Sequence, residues 1–181
     1  MNSAVFHLFV IFCLPLLLRP LFALSFLSRL DYCNSVLAGS PQYLMDKLQR
    51  VQNNAARLVL RKRKSDHATP LLSSLHWLPI SSRIQYKVCS LTYSSLFDSG
   101  PIYLSNLLQL YSPTRQLRSS NDTRILSKPS FNIKSFGSRR FSHQSPLLWN
   151  SLPFKVRHSD SLLSFRSSLK THLFQSFYLN P

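Results

Sequence analysis

Apolar residues recur with helical spacing in several stretches of the chain, and the longest repeat begins after Ser40 and Pro41. Positions four or three residues apart share one face of an α-helix. Serine followed by proline is typical of a helix start, because the first turn needs no N–H from the proline. The pattern predicts an amphipathic helix with an apolar stripe of Leu44, Leu48, Val51, Ala55 and Leu58, and a polar face of Lys47, Gln49, Arg50, Gln52, Asn53 and Asn54.

Residues 69–97 predict a short helix and a long helix, separated by Pro79. Thr69 and Pro70 have the pattern of a helix start, followed by one apolar turn of Leu71, Leu72 and Leu75. The residue before a proline disfavours helical backbone, so the short helix should end before Pro79. The long helix is then capped by Ser81 or Ser82, and its apolar stripe is Ile84, Val88 and Leu91, widened by Cys89, Thr92 and Leu96.

Specific structural roles are predicted for two residues on either side of the long helix, Trp77 and Gly100. Trp77 lies at the break, where its ring is either a core residue or an exposed platform for stacking a base. A platform requires an exposed ring with basic neighbours, so the core role is the stronger interpretation. Gly100, followed by Pro101, predicts the end of the helix, with the glycine in the left-handed conformation.

The remaining stretches are shorter. Residues 28–39 predict a helix ending at Gly39, and residues 102–108 predict a short one. Residues 112–135 lack helical periodicity and favour an exposed basic loop or short β-hairpin, with strands at 124–126 and 131–133. Ser145 and Pro146 predict another helix start, with Leu147 and Trp149 as anchors, and Ser159–Ser161 should cap a last helix with the stripe Leu162, Phe165, Leu169 and Leu173. The predicted fold class is mainly α: a small helical array with an irregular loop or short β-hairpin inserted around 112–135.

The net charge of the chain indicates the kind of partner that it binds. The 181 residues carry a net charge of +16, from 22 Lys and Arg against six acidic residues, all of them aspartate. Such a chain repels itself and attracts polyanions, either nucleic acid or an anionic membrane surface. The expected partner is RNA or DNA bound without sequence preference, in the nucleus or cytoplasm.

Residue types needed for catalysis are sparse. The three cysteines are widely spaced without a CxxC pair, the histidines are scattered, and three glycines cannot build a phosphate-cradling loop. Asp31 has no second acid nearby, whereas two-metal catalysis needs several converging carboxylates. The sequence therefore predicts no enzyme activity, no cofactor and no metal site.

Two groups of cations are candidate nucleic-acid contacts. The first lies at the end of the predicted long amphipathic helix: Arg57, Arg61, Lys62, Arg63 and Lys64. A helix C-terminus favours cations through its dipole, so a solvated helix end and a phosphate-binding or nuclear-import segment are equally good interpretations. The second group lies in and after the basic loop: Arg115, Arg118, Arg139 and Arg140. Three phenylalanines, Phe131, Phe136 and Phe141, alternate with such cations, as on a single-strand-binding surface, although aromatics facing a core produce the same pattern.

Residues 1–27 form an apolar leader that is interrupted by Arg19 and Pro20. A membrane-spanning helix needs about 20 apolar residues, so the leader spans a bilayer only if Arg19 is tolerated. A secretory signal begins with cations, which Met1–Ser3 lack. Three interpretations stay open: a membrane anchor, a buried hairpin, or an apolar leader without a role. The first would make the chain a small basic membrane-associated protein, which cell fractionation would reveal.

From Ser28 onward a series of phrases occurs in order: SRLDYCNSVLAGSP, LQRVQNNAARLVLR, TPLLSSLHWLPISSRIQYKV, YLSNLL, LRSS, FGSRRFSHQSPLLWNSLP and SLLSFRSSLKTHLF. Together they resemble the C-terminal region of a non-LTR (LINE-type) retrotransposon reverse transcriptase, of the Jockey/chicken-repeat group. The resemblance covers nearly all of residues 28–175. It implies thumb-like helices over 28–111, then a basic loop and C-terminal helices over 112–181.

The resemblance also implies what this chain lacks. In that family a longer protein carries an endonuclease and a polymerase with a Tyr-x-Asp-Asp metal site, and the region resembled here follows the palm and helps to hold nucleic acid. No Tyr-x-Asp-Asp occurs in this sequence. No catalytic residue is therefore carried over, and the expected function is a catalytically inert fragment of the polyprotein with nonspecific nucleic-acid affinity.

Overall fold

A computed structural model describes residues 25, 28–32, 34–97, 100–112, 124–130 and 137–179. Within these ranges the chain is mainly helical, which confirms the predicted fold class. A 3₁₀ helix at Asn34–Leu37 precedes seven α-helices: α1 (Gln42–Val59), α2 (Ala68–Ser74), α3 (Ile80–Phe97), α4 (Ile102–Ser105), α5 (Phe141–Asn150), α6 (Phe154–Arg157) and α7 (Leu162–Tyr178). The apolar leader lies outside the described residues apart from Ser25.

The chain divides into two compact units. The first unit comprises residues 1–33 and 42–80, and the second comprises residues 34–41 and 81–181. The boundary follows Ile80, the first residue of α3. The predicted helix over 28–39 is interrupted: residues 28–31 are helical, and the 3₁₀ helix that follows belongs to the second unit.

In the first unit α1 packs against α2. The buried residues of α1 are Gln52, Ala55 and Ala56. The predicted stripe is thus partly wrong, because Val51 is 46% exposed while Gln52, assigned to the polar face, is fully buried. The small side chains of Ala55 and Ala56 let α2 approach α1 closely. Leu71, Leu72 and Trp77 contribute the larger buried side chains of this unit. Burial of Trp77 agrees with its interpretation as a core residue.

Helices α1 and α2 end in the same way. After α1, Lys62 N donates to Arg57 O at 2.8 Å, and Arg61 has a left-handed φ of 53°. After α2, Trp77 N donates to Leu72 O at 2.9 Å, and His76 has a φ of 54°. This is the Schellman arrangement, in which the left-handed position is usually glycine. Both turns therefore carry backbone strain that glycine would avoid.

Three predicted helix starts are displaced. α2 begins at Ala68, so Thr69 lies inside the helix and is not its cap. Pro70 is the third helical residue, and it lies in the first turn, where backbone N–H groups have no acceptor within the helix. α3 begins at Ile80, before Ser81 and Ser82. α5 begins at Phe141, so Pro146 lies inside the helix rather than at its start. Pro146 therefore removes one backbone hydrogen bond from α5, and its ring is fully buried.

The core of the second unit is a cluster of aromatic rings from α3, α5 and α7. Tyr93 stacks on Phe165 with ring centroids 4.5 Å apart, and Trp149 lies 5.5 Å from Phe165 and 6.3 Å from Phe97. The prediction that Trp149 anchors this region is confirmed by its complete burial, but Leu147 is 41% exposed and is not an anchor. In α7 three of the four predicted stripe positions, Phe165, Leu169 and Leu173, are buried, whereas Leu162 is only half-buried. Ser161 Oγ accepts from Ser164 N at 3.2 Å as the predicted cap.

The glycine after α3 is required because a side chain at this position would clash with the backbone, not because of its φ angle. Gly100 does not have a positive φ, so the predicted left-handed cap is wrong. Its N–H instead donates to Ser94 O at 3.2 Å, and a Cβ at this position would lie 2.8 Å from backbone atoms of Ser94. Gly100 thus permits the backbone to return over the last turn of α3.

Where strands were predicted, the described residues contain one isolated antiparallel bridge, between Leu110 and Leu126. Tyr111 N donates to Ile125 O and Ser127 N donates to Gln109 O, both at 2.8 Å. The predicted strand at 124–126 is therefore only a bridge, and the partner predicted at 131–133 lies outside the described residues.

Candidate nucleic-acid interface

The end of α1 leads into a turn of four consecutive cations, Arg61–Lys64, which we call the basic turn. All four residues are exposed. The turn is closed through Asp66, whose Oδ2 accepts from Arg63 N at 3.0 Å and whose backbone N donates to Arg63 O at 3.1 Å. The one carboxylate in this turn is therefore engaged by a backbone amide. Within the described part of the chain, none of the four cationic side chains forms an ion pair.

Arg57 connects the basic turn to α1. Its Nε donates to Asp66 O at 2.9 Å, and its Nη1 donates to Asn54 Oδ1 at 3.1 Å. These two bonds fix the plane of the guanidinium group, which has five N–H donors in total. Arg57 is half-buried, and these bonds give it a structural role that the sequence did not predict.

The other predicted contacts are divided. Arg139 and Arg140 are exposed, and they lie in the second unit immediately before α5. Arg140 N donates to Gly137 O at 3.3 Å, and Arg140 O accepts from Gln144 N at 2.9 Å. The backbone of Arg140 therefore forms the start of α5, while the side chains of Arg139 and Arg140 are exposed. Arg115 and Arg118 lie outside the described residues, as do Phe131 and Phe136. The described residues therefore include seven of the nine predicted contacts, five in the first unit and two in the second.

Arg124, which the sequence placed in the exposed basic loop, holds the second unit together. Its Nη1 donates to Arg157 O at 2.8 Å and to Ser159 O at 3.1 Å, and its guanidinium lies 4.5 Å from the centroid of the Phe97 ring. Its carbonyl accepts from Trp149 Nε1 at 2.6 Å. A guanidinium used in this way stabilises the aromatic core, and no periodic signal in the sequence indicated it.

Sequence reasoning also missed the role of two glutamines on α1. Gln52 Nε2 donates to Leu78 O at 2.8 Å, and Gln49 Oε1 accepts from Ile80 N at 2.9 Å. Gln49 Nε2 in turn donates to Gln52 Oε1 at 3.0 Å. This glutamine pair satisfies backbone groups on both sides of Pro79, and so it fixes the rotation of α1 about its axis. The opposite side of the helix, including Tyr43 and its neighbouring cations, is thereby held towards solvent.

Burial governs the ionisation of the two groups with shifted pKa values. Burial raises the pKa of the Cys89 thiol, so the sulfur stays protonated at neutral pH and is neither a nucleophile nor a metal-binding thiolate. Burial also raises the pKa of Tyr178 to about 12, against the opposing charge of Arg83. Neither group lies among the predicted contacts.

Within the described residues there is no group of three or more His, Cys, Asp or Glu side chains that could hold a metal ion. A search of the same residues finds no helix long and apolar enough to cross a membrane. Comparisons with protein-family models, with curated proteins and with solved structures gave no match.

Proposed function

We propose that this chain is a fragment of a non-LTR retrotransposon reverse transcriptase from the region after the palm, without polymerase activity of its own, and that it binds RNA or DNA through phosphate contacts without sequence preference. The observation that carries the binding proposal is the basic turn, where four exposed cations stand together and the neighbouring carboxylate is engaged by a backbone amide. Cations arranged in this way release counterions from a polyanion when they bind it. Arg139 and Arg140 provide a second exposed cationic pair.

The resemblance to the reverse transcriptase region supports the same proposal from the sequence side. The resembled phrases include residues 48–61, which cover the last two-thirds of α1 and reach the first residue of the basic turn. A region that holds template or target nucleic acid needs charge more than it needs catalytic acids. That requirement fits a chain with 22 Lys and Arg and six Asp.

Binding is tested by fluorescence anisotropy of the full chain with labelled single-stranded RNA and DNA over a range of salt concentrations. For contacts to four phosphates, the logarithm of the binding constant should fall against the logarithm of salt concentration with a slope of at least about −3. Several unrelated sequences should bind equally. Absence of binding at low salt would refute the proposal.

A charge-matched pair of variants locates the contact. Replacement of Lys62, Arg63 and Lys64 by Gln should reduce the magnitude of the salt slope by about 2. The control replaces Lys87, Arg166 and Lys170 by Gln; these three exposed cations lie in the second unit, and their loss should change the slope less. Equal effects of the two variants would indicate that net charge alone governs binding and would contradict a contact at the basic turn.

The proposed lack of polymerase activity has its own test. Purified chain is incubated with a primed template, nucleotides and either Mg²⁺ or Mn²⁺, and extension is followed on a gel beside an active polymerase. No extension is expected, because the sequence lacks the Tyr-x-Asp-Asp motif. Extension by material free of other polymerases would overturn this part of the proposal.

A further inference from the structure

One side of α1 carries a straight row of polar and aromatic residues at helical spacing, which we call the α1 stripe: Tyr43, Lys47, Arg50, Asn54 and Arg57. At 3.6 residues per turn these positions fall within an arc of about 80° and extend over about 21 Å of the helix axis. The first four side chains are exposed and the last is half-buried. The stripe leads directly into the basic turn.

The α1 stripe is held towards solvent by the rest of the first unit. The buried residues of α1, Gln52, Ala55 and Ala56, lie on the side of the helix opposite Tyr43. The glutamine pair fixes this orientation through its hydrogen bonds to Leu78 O and Ile80 N. Because the helix cannot rotate without breaking these bonds, the stripe is a permanent surface of this unit.

Tyr43 gives this surface a property that a row of cations lacks. Its side chain is 59% exposed, and Lys47 Nζ lies 5.6 Å from the centroid of its ring. An exposed aromatic ring beside cations is the combination with which proteins bind single strands: bases stack on the ring while phosphates contact the cations. In a duplex the base faces are already covered by neighbouring bases, so a lone surface tyrosine adds nothing to duplex binding.

At the other end of the stripe, Arg57 is already ordered. Its bonds to Asn54 Oδ1 and Asp66 O hold the guanidinium in one orientation, and three of its five N–H donors are not used in these two bonds. A cation that is fixed before binding loses less side-chain entropy when it contacts a phosphate. The only acid on this face, Asp46, accepts from Gln42 Nε2 at 2.9 Å.

We propose that the α1 stripe is a binding surface for single-stranded nucleic acid, with one base stacked on Tyr43 and the backbone running along Lys47, Arg50 and Arg57 towards the basic turn. At about 3.4 Å per stacked nucleotide, the stripe accommodates about six nucleotides. The inference rests on the proposed nucleic-acid binding and adds to it a preferred strand form, a footprint and an aromatic contact.

The test compares full-length chain and three variants: Tyr43→Ala, Tyr43→Phe, and Tyr103→Ala as a control. Tyr103 lies on α4 in the second unit and is 69% exposed, so it matches Tyr43 in chemistry and exposure. The ligands are labelled oligo-dT and oligo-U of 3 to 12 nucleotides and a 12-base-pair duplex, and binding is measured by anisotropy. Circular dichroism verifies that each variant keeps its helix content.

For single strands, Tyr43→Ala should weaken binding about 5-fold or more, Tyr43→Phe should retain wild-type affinity, and Tyr103→Ala should have no effect. Duplex affinity should be the same in all four proteins. Affinity should rise with strand length over about the first six nucleotides, rise further as the strand reaches the basic turn, and then increase only with the number of binding registers. Replacement of Lys47 and Arg50 by Gln should reduce the magnitude of the salt slope by about 1.4.

The outcomes separate this inference from the proposed function. If the wild-type chain binds nucleic acid but Tyr43→Ala binds single strands equally well, or weakens duplex binding to the same degree, the stripe is not a single-strand surface and nonspecific phosphate binding stands. If the wild-type chain binds neither form at low salt, both proposals are refuted.

Discussion

The two units of this chain are stabilised by different interactions. In the first unit, small residues of α1 approach α2, and the glutamine pair bonds to backbone groups beside Pro79. In the second unit, rings from three helices stack around Trp149, and their polar atoms are satisfied at the edge of the cluster. The first unit combines a small apolar core with directional polar bonds from the glutamine pair, whereas stacked rings tied together by Arg124 form the core of the second.

This difference accompanies a difference in surface. Residues 42–80 carry seven Lys or Arg and two Asp, and the exposed cations of the stripe and the basic turn are all on this short segment. The fixed orientation of α1 keeps the cations of the α1 stripe together on one exposed side of this helix. Aromatic packing in the second unit gives more stabilisation per residue, but an aromatic ring that is buried in the core is not available on the surface to bind a ligand.

The largest expected effect is on the aromatic core. Trp149→Ala should destabilise the second unit by about 3–5 kcal/mol, because a fully buried indole and its bond to Arg124 O are both lost. Urea unfolding followed by circular dichroism measures this. Leu147→Ala, three-fifths buried on the same helix, should cost much less. Similar losses in both variants would contradict the assignment of Trp149 as the centre of the core.

The matching change in the first unit removes one member of the glutamine pair. Gln52→Ala should destabilise this unit by about 1–3 kcal/mol, because a fully buried amide and its hydrogen bond to Leu78 O are both lost. The control is Gln42→Ala, which removes an exposed amide whose bond to Asp46 is local. If the two substitutions changed the urea midpoint equally, the buried hydrogen bond of Gln52 would contribute no more to the stability of the first unit than an exposed one.

A smaller effect of the opposite sign is expected at the end of α1. Arg61→Gly should stabilise the first unit by about 0.5–1 kcal/mol, because glycine adopts a φ of 53° without the clash that an arginine side chain causes. Thermal unfolding measures the gain. Lys62→Gly, at a neighbouring residue without a positive φ, should be neutral or destabilising. A gain at both positions would show that charge removal, rather than backbone strain, is responsible.

The smallest effect concerns Tyr178 in the second unit. Its pKa is raised to about 12 in the folded chain, mainly by burial, against an ordinary value of 10.0. The unfolded chain therefore loses this proton first as the pH rises, so the stability associated with the neutral phenol is fully present below pH 10 and declines up to about pH 12. Urea midpoints over pH 9–12 should fall less steeply in Tyr178→Phe. An identical decline in both proteins would contradict the assignment.

Local patterns in the sequence predicted much of the helical framework. Ile84, Val88, Phe165, Leu169 and Leu173 are buried as their spacing requires, whereas Leu91, Leu96 and Leu162 of the same predicted stripes are only half-buried. Ser161 caps α7 as predicted. Helix starts marked by proline were less reliable, since Pro146 lies inside α5. The sequence pattern of serine followed by proline marks a place where helical backbone occurs, but it does not fix whether the proline lies in the first turn or further inside the helix.

For the candidate interface, the sequence located the cations of the basic turn but not the surface that leads to it. Tyr43 was not singled out, and Gln52 was assigned to the polar face although it is fully buried. The spacing of Tyr43, Lys47, Arg50, Asn54 and Arg57 was available in the sequence as a signal. That spacing does not show which side of α1 is exposed, whereas the hydrogen bonds of Gln52 and Gln49 to the segment around Pro79 do.

The sequence by itself determined that the chain is helical, strongly cationic and poor in carboxylates, because periodicity and charge are properties of neighbouring residues. Only the tertiary structure decided which side of α1 is buried, that Arg124 stabilises the aromatic core, and that Gly100 serves a close backbone approach. These features depend on hydrogen bonds and contacts between residues far apart in the chain. A polar side chain such as Gln52 has no periodic signature that distinguishes a solvent contact from a buried backbone partner.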